Sequence, residues 1–196
     1  MRQLLWMQLV PTLFRLGPGR TLGLLRQLLA SLKAPVPTVA PLRYWSALPT
    51  QWGAYAARTS LTPVDTADLA GHGAGEHALR GDLGERLRAG PLRYTLSAQL
   101  YVDPRRTPIE DASVDWAESD SPYLPIADLV IPQQDVASEL GRRIDAYVEK
   151  LSFDPWHAPT EFRPLGNMMR ARNHAYRLST IARGASPEPD GSETWG

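Results

Sequence analysis

The residues from Leu92 to Val102 constrain the fold of this chain more than any other stretch. They read Leu-Arg-Tyr-Thr-Leu-Ser-Ala-Gln-Leu-Tyr-Val, and this alternation with a period of two predicts a β-strand. Residues 55–61 alternate in the same way, and residues 113–116 and 126–131 are two further strand candidates, each bracketed by proline or charge. About four strands are therefore predicted, which are too few for a closed barrel and leave sheet edges to be covered.

Segments with helical periodicity or composition flank these strands on both sides. A turn of helix is also predicted at Tyr44-Trp45-Ser46, and the remaining helices are predicted at residues 4–16, 21–32, 82–88, 138–151 and 166–182. The order is helices, then strands, then helices, without the βαβ alternation of a parallel sheet. This order predicts an α+β fold with an antiparallel sheet.

The composition excludes several kinds of chemistry. The chain has no cysteine, which rules out disulfides, thiolate catalysis, cysteine-bound zinc, iron–sulfur clusters and thiolate-bound haem. An absence of cysteine fits a reducing compartment, so a cytoplasmic location is expected. The formal net charge is zero, which gives no reason to expect a nucleic-acid partner.

Residues 1–33 form an arginine-rich and leucine-rich segment that contains no acidic residue. The first acidic residue of the chain is Asp65. Three interpretations stay open: a buried amphipathic helix of the domain, a helix that lies on a membrane surface, and a targeting segment. No apolar run reaches the ~20 residues that a transmembrane helix needs. The segment is expected to be an N-terminal amphipathic helical region, with peripheral membrane contact as the alternative to a purely soluble role.

Arg172 and Tyr176 stand four residues apart in the predicted C-terminal helix, so their side chains share one face of it. A guanidinium beside a phenol favours the phenolate, because an opposite charge stabilises the ionised form. A phenolate is the axial ligand of haem iron in catalase. The spacing alone is common in helices, and a surface pair that stabilises the helix is the competing interpretation.

Several longer segments give this pair a context. They are Tyr44-Trp45-Ser46-Ala47-Leu48-Pro49, residues 108–116 with Ser121-Pro122-Tyr123, residues 126–134, residues 151–157, and the run from Arg163 to Tyr176. In this order the segments resemble the haem catalase superfamily, in particular the shorter catalase-related peroxidases and allene-oxide-synthase-like proteins. The resemblance extends over residues 42–184.

The resemblance implies the C-terminal (proximal) portion of a catalase-like haem domain at residues 34–184, an antiparallel β-barrel portion with flanking helices. A disordered tail is predicted at residues 185–196. By position, Tyr176 is the ligand of the iron of haem b and Arg172 is the cation that keeps it anionic. Arg170 and Arg163 are candidates to bind the haem propionates, because arginine pairs well with carboxylates. Met169 is expected to pack on the porphyrin, with core filling as the alternative.

The sequence departs from the family on the distal side of the haem. The four histidines are His72, His77, His157 and His174, and none lies upstream of the Trp45-Ser46 segment, where the family's distal histidine belongs. No catalytic residue is assigned, and the chain is expected to begin after the distal half. The resemblance implies an oxidoreductase acting on hydrogen peroxide or organic hydroperoxides, with the distal half supplied by a second chain. A homodimer is the other partner expected, because a partial barrel leaves strand edges exposed. The alternative is a non-catalytic haem-binding module or pseudoenzyme remnant that needs a partner.

Overall fold

The structure is a computed structural model that describes residues 19, 22, 26, 36–66, 70–71 and 75–185. The chain divides into two compact units, residues 1–37 and 38–196, and the sheet and helices below belong to the second. The predictions for the helix at 4–16, for most of the helix at 21–32, for His72 and for the tail after residue 185 lie outside the described residues.

Five antiparallel strands form one open sheet. They are β1 (Tyr44–Trp45), β2 (Thr50–Trp52), β3 (Tyr55–Pro63), β4 (Leu92–Leu100) and β5 (Tyr123–Ile131). The central strand β3 pairs with β4 on one side, while β1 and β2 pair with its other side at opposite ends. Strand β5 extends the sheet beyond β4, with a register shift between Leu96 and Ser97. The predicted α+β class with an antiparallel sheet is confirmed, and the sheet does not close into a barrel.

Three α-helices and one short 3-10 turn complete the described part of the second unit. They are α1 (Ala78–Ala89), α2 (Glu139–Val148) and α3 (Asn167–Arg183), with the 3-10 turn at Thr160–Phe162. Ser138 caps α2 by accepting a hydrogen bond from the Gly141 N–H, and Gly184 ends α3 in the left-handed conformation at φ 61°. Helix α1 contributes a fully buried Asp82, which accepts hydrogen bonds from the Thr38 hydroxyl and the Arg86 guanidinium.

Two local predictions are wrong, one because of a side-chain turn and the other because of strand pairing. Residues 113–116 form turns and loop instead of a strand, because the Asp111 carboxylate accepts hydrogen bonds from the N–H and hydroxyl of Ser113 and bends the chain. Residues Tyr44–Trp45 form a strand instead of a helical turn, since they pair with β3. Strand β2 was not predicted at all.

The apolar side chains of β5 are unusually exposed for a strand. The exposed fractions are 48% for Leu124, 43% for Ile126, 41% for Leu129 and 43% for Val130. Strand β5 is also the end of the sheet order. Exposed apolar side chains on an edge strand are typical of a surface that another polypeptide covers.

Within the ranges that the structure describes, no helix has both the length and the apolar character needed to cross a membrane.

Candidate functional site

The candidate site lies on the face of α3 that the rest of the protein covers. Met169 is buried, Arg172, Asn173, Tyr176 and Thr180 are half-buried, and every other residue of α3 is exposed. These five residues recur at intervals of one, three and four, so they form a single stripe along the helix. This inner stripe contains three of the five predicted cofactor-binding residues: Met169, Arg172 and Tyr176.

The predicted pair on this stripe is formed. The Arg172 Nη2 donates a hydrogen bond to the Tyr176 hydroxyl oxygen over 2.8 Å, and the Arg172 Cζ lies 5.4 Å from the centroid of the Tyr176 ring. A guanidinium that donates to a phenolic oxygen stabilises negative charge on that oxygen. Tyr176 is therefore held beside a cation, and its side chain keeps some access to solvent.

A tight contact at Gly166 fastens the start of α3. Gly166 has φ 88° and ψ 162°, a combination that is essentially confined to glycine. A Cβ at this position would lie 2.5 Å from the backbone oxygen of Ile109, so the loop that carries Ile109 packs directly against the backbone at the helix start.

Glu110, the next residue of that loop, adds charge to the contact. Its Oε2 accepts a hydrogen bond from the Asn167 N–H over 2.8 Å. Its two carboxylate oxygens also accept from the Arg170 guanidinium, over 3.2 and 2.8 Å. The hydrogen bond from Arg170, together with its charge and the Asn167 N–H, lowers the pKa of Glu110. The carboxylate thus binds both the N–H of the first residue and a first-turn cation of α3.

The chain that leads into α3 is held on its other side by β2. The Gln51 N–H donates to the Arg163 carbonyl over 2.8 Å, and the Leu165 N–H donates to the Pro49 carbonyl over 3.1 Å. The segment therefore continues the sheet for a few residues before the helix begins. The start of α3 is therefore fixed on one side by the loop at Ile109 and Glu110 and on the other by the chain at residues 49–51. These two contacts set the position of Tyr176 relative to the sheet.

Arg163 and Arg170, the predicted propionate partners, lie apart from the Arg172–Tyr176 pair. Arg170 precedes Tyr176 by six residues, which is about 120° around the helix and about 9 Å along it. Its guanidinium already binds Glu110. The Arg163 guanidinium is exposed and makes no hydrogen bond or ion pair with the part of the chain that the structure describes. Their propionate role stays a prediction.

A cleft of about 820 Å³ lies beside the start of α3, and we term it the entry cleft. Its walls are residues from the loop after β4, from the segment that leads into α3, and from α3 itself: Tyr101, Pro104, Pro108, Ile109, Glu110, Asp111, Trp156, Arg163, Pro164, Leu165, Gly166 and Arg170. Tyr176 is not among them. The predicted residues therefore form two groups, Met169–Arg172–Tyr176 on the inner stripe and Arg163–Arg170 at the entry cleft.

Three residues that shape this region were missed in the sequence, namely Glu110, Trp156 and Gly166. Gly166, in a Pro-Leu-Gly run just before a helix, offered a local signal for a special backbone conformation. Glu110 offered none, because its partners are about 60 residues away along the chain.

The described histidines give no metal site. His77, His157 and His174 are all exposed. Among the described residues, no group of three or more histidine and carboxylate side chains is placed to hold a metal ion.

Comparison with solved structures places the fold. A fungal catalase matches 75% of this chain with a TM-score of 0.60 and 15% sequence identity, and the match covers 32% of the catalase chain. A bacterial catalase matches 76% of this chain with a TM-score of 0.57 and 18% identity, and the match covers 31% of it. The chain thus spans about a third of the length of the catalases that it resembles. No family model matches it, and no curated protein sequence does.

Proposed function

We propose that this chain binds haem b through Tyr176 and serves as the proximal part of a catalase-like haem protein. The observation that carries the proposal is the hydrogen bond from Arg172 to the Tyr176 oxygen on the inner stripe of α3, within a catalase-like fold.

The donor set suits a ferric haem iron. The Tyr176 oxygen accepts a hydrogen bond from the Arg172 guanidinium, and a cation in this position would balance the charge of an oxygen ligand. Negative charge on an oxygen ligand would favour the ferric state of a bound haem iron. Met169 lies on the same stripe two turns from Tyr176 and offers a polarisable apolar side chain. When bound, the haem supplies a redox-active iron, and the chain's own part is to hold it and to balance its charge.

We also propose that Arg163 and Arg170 bind the haem propionates. Arg163 is the better placed of the two, because its guanidinium lacks a partner among the described residues, whereas Arg170 must share or leave Glu110.

Reaction with a peroxide needs a base that moves a proton between the two peroxide oxygens. The described histidines are exposed, and none lies on the inner stripe. We therefore propose oxidoreductase activity on hydrogen peroxide or organic hydroperoxides only for a complex in which a second chain or a second copy supplies that base. The exposed apolar side chains of β5 support such a partner. By itself the chain is then a non-catalytic haem-binding module.

The cellular location belongs to the same proposal. The absence of cysteine supports a cytoplasmic protein, and the basic segment 1–33 supports contact with a membrane surface.

Titration of the apo-protein with haemin, followed by absorption spectroscopy, tests the binding. We expect saturable binding of one equivalent by the wild type, loss of the tyrosinate-type spectrum in Tyr176→Phe, and weaker binding in Arg172→Gln. Tyr55→Phe is the matched control, because Tyr55 is 64% exposed at the start of β3. Equal binding and equal spectra for Tyr176→Phe and Tyr55→Phe would contradict the proposal.

Peroxide consumption by the haem-loaded chain tests whether this chain needs a partner to supply the catalytic base. We expect a rate no higher than that of the same concentration of free haemin. A rate far above free haemin would mean that this chain supplies its own base, and the need for a partner would be refuted.

A further inference from the structure

The side of α3 that faces away from the inner stripe is largely apolar and yet exposed. Leu178 lies nine residues after the buried Met169, which is about 180° around the helix. The exposed fractions of the three large apolar side chains on this side are 48% for Met168, 54% for Leu178 and 67% for Ile181. We term the six exposed apolar residues of this side the outer face: Met168, Ala171, Ala175, Leu178, Ile181 and Ala182. The helix thus turns mostly polar residues inward and apolar residues outward, the reverse of an ordinary surface helix.

A strained loop places an aromatic residue beside the end of this helix. Phe153 has φ 52°, a left-handed conformation that is unfavourable for a residue with a bulky side chain, and it is 56% exposed. The Arg183 Nη2 donates to the carbonyl oxygens of Leu151 and Ser152, each over 3.5 Å, so this loop lies against the last turn of α3. Strain of this kind is concentrated at functional and binding surfaces.

Helix α3 is also cationic. It contains four arginines and no acidic residue. Arg170 is paired with Glu110, whereas Arg177 and Arg183 form no ion pair with any residue that the structure describes. Both belong to the last two turns, where Leu178 and Ile181 are exposed.

The acidic residues of the adjoining loop do not cancel this charge. Glu149 is followed by Lys150, which offsets it, and the Asp154 Oδ1 accepts a hydrogen bond from the Trp156 N–H over 2.9 Å. The loop therefore has one net negative charge against the two arginines at the end of α3. An apolar surface with a positive edge favours a partner that is both apolar and anionic.

We propose that the outer face of α3, together with Phe153, binds the surface of an anionic membrane. Leu178, Ile181 and Phe153 would enter the boundary between headgroups and acyl chains, and Arg177 would reach the headgroup phosphates. Helices with an apolar side and a basic edge lie in this interface. A second copy of α3 fits less well, because it would bring the arginines of two helices together.

This surface goes beyond the proposed haem function, which uses the opposite side of α3. It also differs from the basic segment 1–33, whose membrane contact was proposed on composition alone. The two proposals can therefore be tested separately by substitutions in α3.

Co-sedimentation of the full-length protein with lipid vesicles tests the proposal. Vesicles of phosphatidylcholine and phosphatidylglycerol, in a ratio of roughly two to one, are compared with vesicles of phosphatidylcholine alone. We expect clearly stronger binding to the anionic vesicles and a loss of this difference at high salt concentration.

Substitutions on the surface should weaken binding to the anionic vesicles. Leu178→Gln combined with Ile181→Gln should weaken it about tenfold or more, because two large apolar side chains no longer leave water. Arg177→Gln should weaken it about two- to fivefold. Phe153→Asn removes the ring but keeps a residue that tolerates the left-handed backbone, and it should weaken binding about three- to tenfold.

Two exposed residues away from α3 provide matched controls. Val64→Gln replaces an apolar residue that is 62% exposed just after β3, and Arg105→Gln replaces an exposed arginine of the loop after β4. Both should bind the vesicles like the wild type. All the replaced side chains are exposed, so each variant is expected to fold, which circular dichroism checks.

Three outcomes would overturn the proposal. One is equal binding to the two kinds of vesicle, or binding to neither. Another is wild-type binding by the variants of α3 and Phe153, which would assign any membrane contact to another part of the chain. The third is a dimer in sedimentation velocity that Leu178→Gln with Ile181→Gln dissociates, since the outer face would then be an interface between copies. The variants should bind haemin like the wild type, and failure of haemin to bind at all would leave the vesicle result unaffected.

Discussion

Replacing Gly166 by alanine is expected to destabilise the protein strongly, because two separate costs fall on one methyl group. The backbone at φ 88° and ψ 162° is nearly closed to side chains, and holding alanine there costs about 1–3 kcal/mol. The new Cβ would also lie 2.5 Å from the Ile109 oxygen, and relieving such overpacking costs about 1–3 kcal/mol more. The free energy of unfolding should fall by about 4 kcal/mol.

The assay is thermal unfolding followed by circular dichroism, with Gly184→Ala as the control. Gly184 also has a positive φ of 61°, but a Cβ there meets nothing within 4 Å, so only the left-handed strain of about 1–2 kcal/mol applies. For a unit of about 150 residues each kcal/mol shifts the melting temperature by about 2–4 °C. Gly166→Ala should therefore melt about 8–16 °C below the wild type, against about 2–8 °C for Gly184→Ala. Equal shifts for the two variants would refute the tight contact between α3 and the loop at Ile109.

Two further stability predictions concern ion pairs. Asp82→Asn removes the charge of the fully buried Asp82 from its pair with the partly exposed Arg86 and should lower the free energy of unfolding by about 3 kcal/mol in urea titrations. The exposed pair of Arg80 and Asp145 is the control, and Asp145→Asn should change stability little; the reverse ranking would contradict the burial of Asp82. For Glu110 the folded state lowers the pKa below the ordinary 4.5, so its contribution is present above that pH and is lost as the pH falls through the lower folded value. The stability difference between wild type and Glu110→Gln should accordingly shrink below about pH 4, and a difference that is the same at pH 3 and pH 7 would contradict the pairing.

The parts of the fold that the sequence predicted are those where local pattern and tertiary environment agree. The alternation of residues 92–102 identified β4 almost to its ends. Helix α3 and the juxtaposition of Arg172 and Tyr176 followed from helical spacing alone. Strand β2 was missed because it is only three residues long and forms by pairing with β3. The turn at Ser113 was missed because it depends on a hydrogen bond between side chains, which hydrophobic periodicity does not reveal.

The same limit applies to the site. Arg172 and Tyr176 are one turn apart in the sequence, so their contact required no knowledge of the fold. Arg163 and Arg170 lie apart from this pair, and Arg170 forms an ion pair with Glu110. Both features depend on how the loop after β4 packs against the start of α3. No pattern within residues 163–177 contains that information.

The most direct test of the central claim is the resonance Raman spectrum of the ferric haem complex, recorded for wild type and Tyr176→Phe. If Tyr176 is the axial ligand through its phenolate, excitation in the phenolate-to-iron charge-transfer band will enhance tyrosinate ring modes in the wild type, and these modes will be absent in Tyr176→Phe. Identical spectra from the two proteins, or a wild-type spectrum without tyrosinate modes, would show that Tyr176 does not bind the iron and would contradict the account.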